Sequence, residues 1–287
     1  MISKKEDTML KAVTGLEGGV VASGSTCGVV TGGALGLALL HEKDLTERNG
    51  NAQIAVIGKA REYVEWFDSE FDTTLCRERT GVDFYGVGGQ IRYLLPGDKI
   101  ARCLWHIGRA TQKLNSLSET ALPGSVERTD ARETGIPHCA EAVLRGVRER
   151  TGIGDSLLER SSIVFDGGVA LTGGVCGALA GAIMAINLLL GKDIRNTKYT
   201  STIKGFVTGH LNLLLDRPVA MPDPFGVGKD IVMKFRGKTG ALSCRDIAHE
   251  EFRNWKDFIE YRGSSSVCHE LIEFSIERAS NIIEQWK

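Results

Sequence analysis

The chain is written twice. Leu16–Leu40 aligns with Phe165–Leu189 without gaps at an offset of 149 residues, with nine identities in 25 positions. Gly18, Gly19, Val20, Gly24, Cys27, Gly28 and Gly32 meet Gly167, Gly168, Val169, Gly173, Cys176, Gly177 and Gly181, and Leu39-Leu40 meet Leu188-Leu189. An acid stands before the glycine pair in both copies, Glu17 and Asp166. Phe67, Cys76, Arg77 and Phe84 then match Phe235, Cys244, Arg245 and Phe252 at an offset of 168, and Cys103 matches Cys268 at 165. Such self-similarity means one folding design used twice. The rise in offset from 149 to 168 predicts an insertion in the second copy, near Leu215–Gly228, where Pro218, Pro222 and Pro224 mark an irregular loop. Cys139 has no counterpart, because the position 149 residues earlier falls before Met1. The first copy is therefore expected to lack the opening helix. The expected units are residues 1–120 and 136–287, joined by a polar linker at 121–135 that contains Pro123-Gly124.

The apolar spacing reads as helix. From Cys103, Ile107, Ala110, Leu114 and Leu117 fall on one face; from Cys268, Leu271, Ile272, Ala279 and Ile282 do so; and Cys139 shares a face with Val143 and Gly146. These three cysteines are expected to point inward. The fold class predicted is all-α: two related helical bundle units, each with a glycine-rich central helix. A short strand pair in 219–235 is the one exception. The uncharged stretches 18–40 and 167–191 exceed the ~18 residues of a spanning helix. The first holds seven glycines, and neither is flanked by a Trp or Tyr belt, so both are expected to be buried core helices, with membrane insertion the lesser reading.

With 35 Lys plus Arg against 36 Asp plus Glu, the net charge of −1 argues against nucleic-acid binding through a broad basic face and against a polybasic membrane anchor. The charged start MISKKEDTMLKAV lacks a signal peptide's apolar core, so a cytoplasmic location is expected. Reducing conditions there disfavour a disulfide framework and turn seven cysteines toward metal, cluster or redox chemistry.

Successive cysteines are 49, 27, 36, 37, 68 and 24 residues apart, and no C-x-x-C occurs. That excludes a zinc ribbon, a thioredoxin-type dithiol, a c-type haem site and a ferredoxin run. Any shared site must be assembled in space from different helices, as helix bundles do. Four thiolates hold an iron–sulfur cluster or a tetrahedral zinc; two pairs can instead form reversible disulfides. Cys27 and Cys176 lie in GSTCGVVTGG and GGVCGALAGA. There, a helix start capped by Ser25 or Thr26 would aim free N–H groups at the sulfur and lower its pKa, or the small residues would admit a close backbone or cofactor. His106, His138, His249 and His269 lie near cysteines but none is repeated, and they read as packing or solvent histidines. No Ser-His-Asp logic, P-loop or dinucleotide fingerprint is present.

These residues resemble a redox-active family named for its C…CGAxxG…C…C pattern. The second copy matches throughout: Cys139 followed by AEAVLRG, Cys176-Gly-Ala-Leu-Ala-Gly, Cys244-Arg in ALSCRDI, and Cys268 before a terminal helix. The first resembles a degenerate member, keeping Cys27-Gly-Val-Val-Thr-Gly, Cys76-Arg and Cys103. The resemblance implies redox activity through the cysteines. A similar domain accompanies split-Soret cytochrome c of anaerobic sulfate reducers, where an iron–sulfur centre is present. Other members are encoded near transporter genes, which suggests a transporter-associated partner. The expectation is an iron–sulfur cluster or other metal on Cys139, Cys176, Cys244 and Cys268, serving electron transfer or redox sensing with a redox partner protein. Cys27, Cys76 and Cys103 are then an incomplete second set. Zinc or no cofactor, a thiol–disulfide oxidoreductase, and a structural or membrane-associated subunit are the alternatives.

Overall fold

A computed structural model describes residues 5–46, 50–122, 138–215 and 223–287. The linker expected at 121–135 lies outside the described residues except for 121 and 122, as does the part of the inserted loop that holds Pro218 and Pro222. The described residues form α-helices and two 3-10 turns, with no β-strand beyond two isolated bridges.

The first unit contains α1 (Lys5–Val13), α2 (Gly28–Leu40), α3 (Glu42–Thr46), α4 (Gly50–Phe71), α5 (Cys76–Thr80), α6 (Val87–Leu94) and α7 (Asp98–Ser118). The second contains α8 (Cys139–Thr151), α9 (Ser156–Ser161), α10 (Gly177–Leu190), α11 (Tyr199–Asn212), α12 (Pro224–Thr239), α13 (Cys244–Ala248), α14 (Trp255–Ser264) and α15 (Ser266–Trp286). The repeat is structural as well as sequential. The 3-10 turn Thr14–Leu16 answers Ser162–Phe165, α2 answers α10, α5 answers α13, and α7 answers α15.

Helix α10 is the axis of the second unit. Every residue from Gly177 to Leu188 is buried, because GALAGAIMAINLLL carries no charge and small residues on the face toward α8 let that helix come close. A Cβ on Gly181 would lie 2.9 Å from the Ala140 carbonyl and 3.0 Å from Val143 Cβ. Helix α8 puts Ala140, Val143, Leu144 and Val147 on its inner face, at helical spacing, and stops at Gly152, whose φ of +72° only glycine adopts without strain. Helix α1 crosses from the first unit to pack on α10, so the two units share one core.

Three expectations change. The stretches 18–40 and 167–191 are not helical throughout: the helices begin only at Gly28 and Gly177. Residues 18–22 and 167–171 instead wind left-handed, with φ between +50° and +78°, and this includes Val20, Val21, Ala22, Val169, Ala170 and Leu171. Non-glycine residues adopt that region at about 1–2 kcal/mol each. The turn is held by matched bonds in both copies, Val21 N–H to the Gly15 carbonyl (2.8 Å) and Ala170 N–H to the Val164 carbonyl (2.7 Å). The strand pair considered for 219–235 does not form over its described part. Asp223 accepts the Gly226 N–H at 2.9 Å and Pro224 occupies the first turn, which starts α12. The insertion is chiefly the helix α11, upstream of the stretch expected. Its Ile203, Phe206, Val207 and His210 do follow helical spacing.

Candidate functional site

Two short backbone bridges bring cysteines together in pairs. In the second unit Val175 and Ser243 form an antiparallel bridge, with Cys176 N–H donating to the Leu242 carbonyl (2.8 Å) and Cys244 N–H to the Gly174 carbonyl (2.6 Å). In the first, Thr26 and Leu75 form the matching bridge, with Cys27 N–H donating to the Thr74 carbonyl and Cys76 N–H to the Ser25 carbonyl, both at 2.8 Å. The strained turn upstream sets this up. Gly24 and Gly173 leave room for Arg77 and Arg245, whose Cβ atoms would be 2.8 Å from an added Cβ there. Their guanidinium groups donate to the Ser23 (3.4 Å) and Thr172 (3.1 Å) carbonyls. This accounts for the repeated Cys-Arg pair: the arginine closes the turn that delivers the glycine-rich cysteine.

The other two sulfurs of the second unit arrive on helices. Cys139 opens α8, and Gly177 is glycine because a Cβ would stand 2.9 Å from Cys139 Cβ. Cys268 sits in the first turn of α15, its N–H donating to the Ser265 cap at 3.3 Å. So Cys139, Cys176, Cys244 and Cys268 each lie at the start of a helix. They are close enough to act on one another electrostatically: Cys176 and Cys268 both disfavour ionisation of Cys139 and of Cys244. The four are free thiols, as are Cys27, Cys76 and Cys103.

Neither Ser25 nor Thr26 caps α2; the cap residues are Cys27 and Cys176 themselves. The expected lowering of their pKa is overturned as well. Burial pushes the Cys176 thiol up to about 11, against the Ala178 and Leu179 N–H groups aimed at it. Cys27, Cys139 and Cys244 are likewise raised, chiefly by burial. Thr26 instead joins the two units. Its Oγ1 accepts the N–H of Val175, its own repeat partner, at 2.8 Å.

Several functional groups had left little trace in the sequence. Asp166, fully buried, accepts the Cys139 N–H at 2.8 Å and meets His138 Nδ1 at 2.5 Å, so it anchors the start of α8. His138 is therefore a paired group rather than a solvent one. Arg262 of α14 is 2% exposed, its Nε and Nη1 have no hydrogen-bond partner among the described residues, and its charge favours ionisation of Cys139 and Cys176. In the first unit Arg79 takes the same part from a different helix, α5. It is buried over the rings of Phe67 and Phe71, touches His106, and acts on Cys27, Cys76 and Cys103. The repeated acid Glu17/Asp166 was the one signal available for any of this; neither arginine lies at a repeated position.

Cys27, Cys76 and Cys103 line one cavity of about 460 Å³, with Glu17, Tyr93 and His210. Cys103 and Cys268 are half-buried, and Ile107, expected inward beside Cys103, is 46% exposed. Among the described residues no group of three or more His, Cys, Asp and Glu side chains is already arranged to hold a metal ion. No described helix is long and apolar enough to cross a membrane.

No curated protein and no solved structure matches the chain. The family described as "Putative redox-active protein (C_GCAxxG_C_C)" matches residues 1–117 and again residues 137–282, and the chain belongs to that family.

Proposed function

We propose that the second unit is an electron-transfer or redox-sensing centre that binds an iron–sulfur cluster through Cys139, Cys176, Cys244 and Cys268. One observation carries the reading: four thiols each lie at the start of a helix, with Cys176 and Cys268 close enough to act on both Cys139 and Cys244, beside a buried arginine whose Nε and Nη1 have no hydrogen-bond partner among the described residues. The donor set suits the group. Four sulfurs without a nearby C-x-x-C constraint match cluster ligation, and a cluster with four thiolates is anionic, so Arg262 and four helix N-termini offset its charge. When bound, the cluster would supply one-electron transfer. The chain's own part is to give up thiol protons, which burial otherwise holds, and to draw the sulfurs together, since they do not already stand as ligands.

The thiol–disulfide reading is less well supported. An attacking cysteine needs an accessible thiolate with a lowered pKa, whereas Cys139 and Cys176 are 8% and 9% exposed and raised. Anaerobic purification with absorption spectra and iron and sulfide analysis tests the proposal. Brown protein that Cys176→Ser bleaches is the expected outcome. Colourless protein without iron, both as isolated and after reconstitution, overturns it.

A further inference from the structure

The two glycine-rich helices are the same element in different surroundings. In the second unit α8 covers α10, and Gly177 and Gly181 are buried beneath Cys139, Ala140 and Val143. In the first unit no described residue covers the equivalent face of α2 at Gly32 and Gly36. Gly32, the counterpart of Gly181, is exposed, and a Cβ there or on Gly36 would meet no atom within 4 Å. The neighbouring helix agrees. Ile272 of α15 is 6% exposed, and Ile276 lies under α8 with its Cδ1 2.5 Å from a Cβ built on Gly146. Their counterparts on α7, Ile107 and Thr111, are both exposed. The cavity of about 460 Å³ lies along this bare face and is floored by the three cysteines.

The acid at its end is also waiting. Asp166 receives the first N–H of α8, but the equivalent Glu17 has a buried Oε1 without a hydrogen-bond partner among the described residues. His210, 6% exposed and 3.9 Å from Glu17, lines the cavity with an unpartnered Nδ1. A carboxylate there suits a helix N-terminus.

We infer that the groove between α2 and α7 docks a helix of a partner protein built like α8, with a cysteine as its first residue and small residues facing Gly28 and Gly32. The docked helix gives its leading N–H groups to Glu17 and brings a fourth thiol to Cys27, Cys76 and Cys103. The inference does not depend on metal in the second unit, because docking occurs with metal-free protein.

A peptide of residues 136–153, the chain's own opening helix, is the probe, added to full-length, reduced, metal-free protein. We expect saturable one-to-one binding, weakened at least tenfold by Gly32→Leu and by Ile107→Asp but unchanged by Gly237→Leu, a control at another open glycine. Under diamide, which takes up two thiol hydrogens as the disulfide forms, the peptide cysteine should link to Cys27, Cys76 or Cys103. Absence of saturable binding, indifference to both groove substitutions, or linkage to Cys176 or Cys244 instead would each overturn the inference. The last would place the peptide in the α8 position of the second unit.

Discussion

Arg262 is the side chain whose burial is hardest to explain from packing alone. An arginine without full pairing in a protein interior is costly, and replacing such a group with a hydrophobe of similar volume often leaves stability unchanged or raises it. Arg262→Met should therefore keep or raise the melting temperature of metal-free protein. In cluster-loaded protein the same change should move the midpoint potential to more negative values, because the lost cation favoured the reduced, more negative state. An unchanged potential in a redox titration would show that Arg262 does not face the cluster. Glu17 makes a separate prediction. Burial raises its pKa to about 7 in the folded chain, against the ordinary 4.5, with Lys192 working the other way. The folded state thus holds a proton there that the unfolded state releases, and stability falls as pH rises from 4.5 to 7. Glu17→Gln, which cannot ionise, should be more stable than the parent at pH 7, with the difference vanishing toward pH 4.5. Thermal melts across that range read the effect, and a pH-independent difference would refute it. Six of the seven cysteines and the paired acids were legible as residues, because duplication repeats them in register. The arginines were not: Arg79 and Arg262 reach their thiols from helices that do not correspond, and only three-dimensional convergence shows it.

At the scale of elements, duplication provides an internal control that few folds offer. Helices α2 and α10 share a glycine register, yet one glycine is packed and its twin is bare. Gly181→Ala should destabilise the chain by about 1–3 kcal/mol, because the new methyl meets the Ala140 carbonyl and Val143 at contact distances a backbone cannot yield. Gly32→Ala should be neutral or stabilising by up to about 1 kcal/mol, because alanine favours helix and no atom lies in the way. Equal effects in chemical denaturation would mean that α8 does not lie on α10 as described. The spacing of apolar residues found α7, α8 and α15, each with an apolar face, whereas α10, buried on every side, showed only as an uncharged run. It did not find the left-handed turns before Cys27 and Cys176. A run such as GGVVAS carries β-branched residues that ordinarily avoid positive φ, and a set of local backbone bonds, those accepted by Gly15 and Val164 among them, holds the turn. Nor could composition separate the covered helix from the bare one, because what differs is a neighbour.

For the whole molecule the question is whether two copies of one design behave as two domains. The packing says they do not. Helix α1 of the first unit lies on α10 of the second, one continuous apolar core runs through both, and Arg61 donates to the Arg253 carbonyl across 192 residues at 2.7 Å. At the centre, Thr26 and Val175 occupy equivalent positions of the repeat and bond to each other. Elements that share a core unfold together, because neither half can keep its apolar face covered without the other. Trp66 and Trp105 report on the first unit and Trp255 and Trp286 on the second. In urea, variants that keep tryptophan only in one unit or only in the other should give superimposable curves with one midpoint. Thr26→Val leaves the buried Val175 N–H without its acceptor, at a cost of about 1–3 kcal/mol, and should lower both midpoints by the same amount. Two separated transitions, or a shift confined to one set of reporters, would mean that the copies fold as independent domains and that the shared core does not couple the four-cysteine site to the open groove.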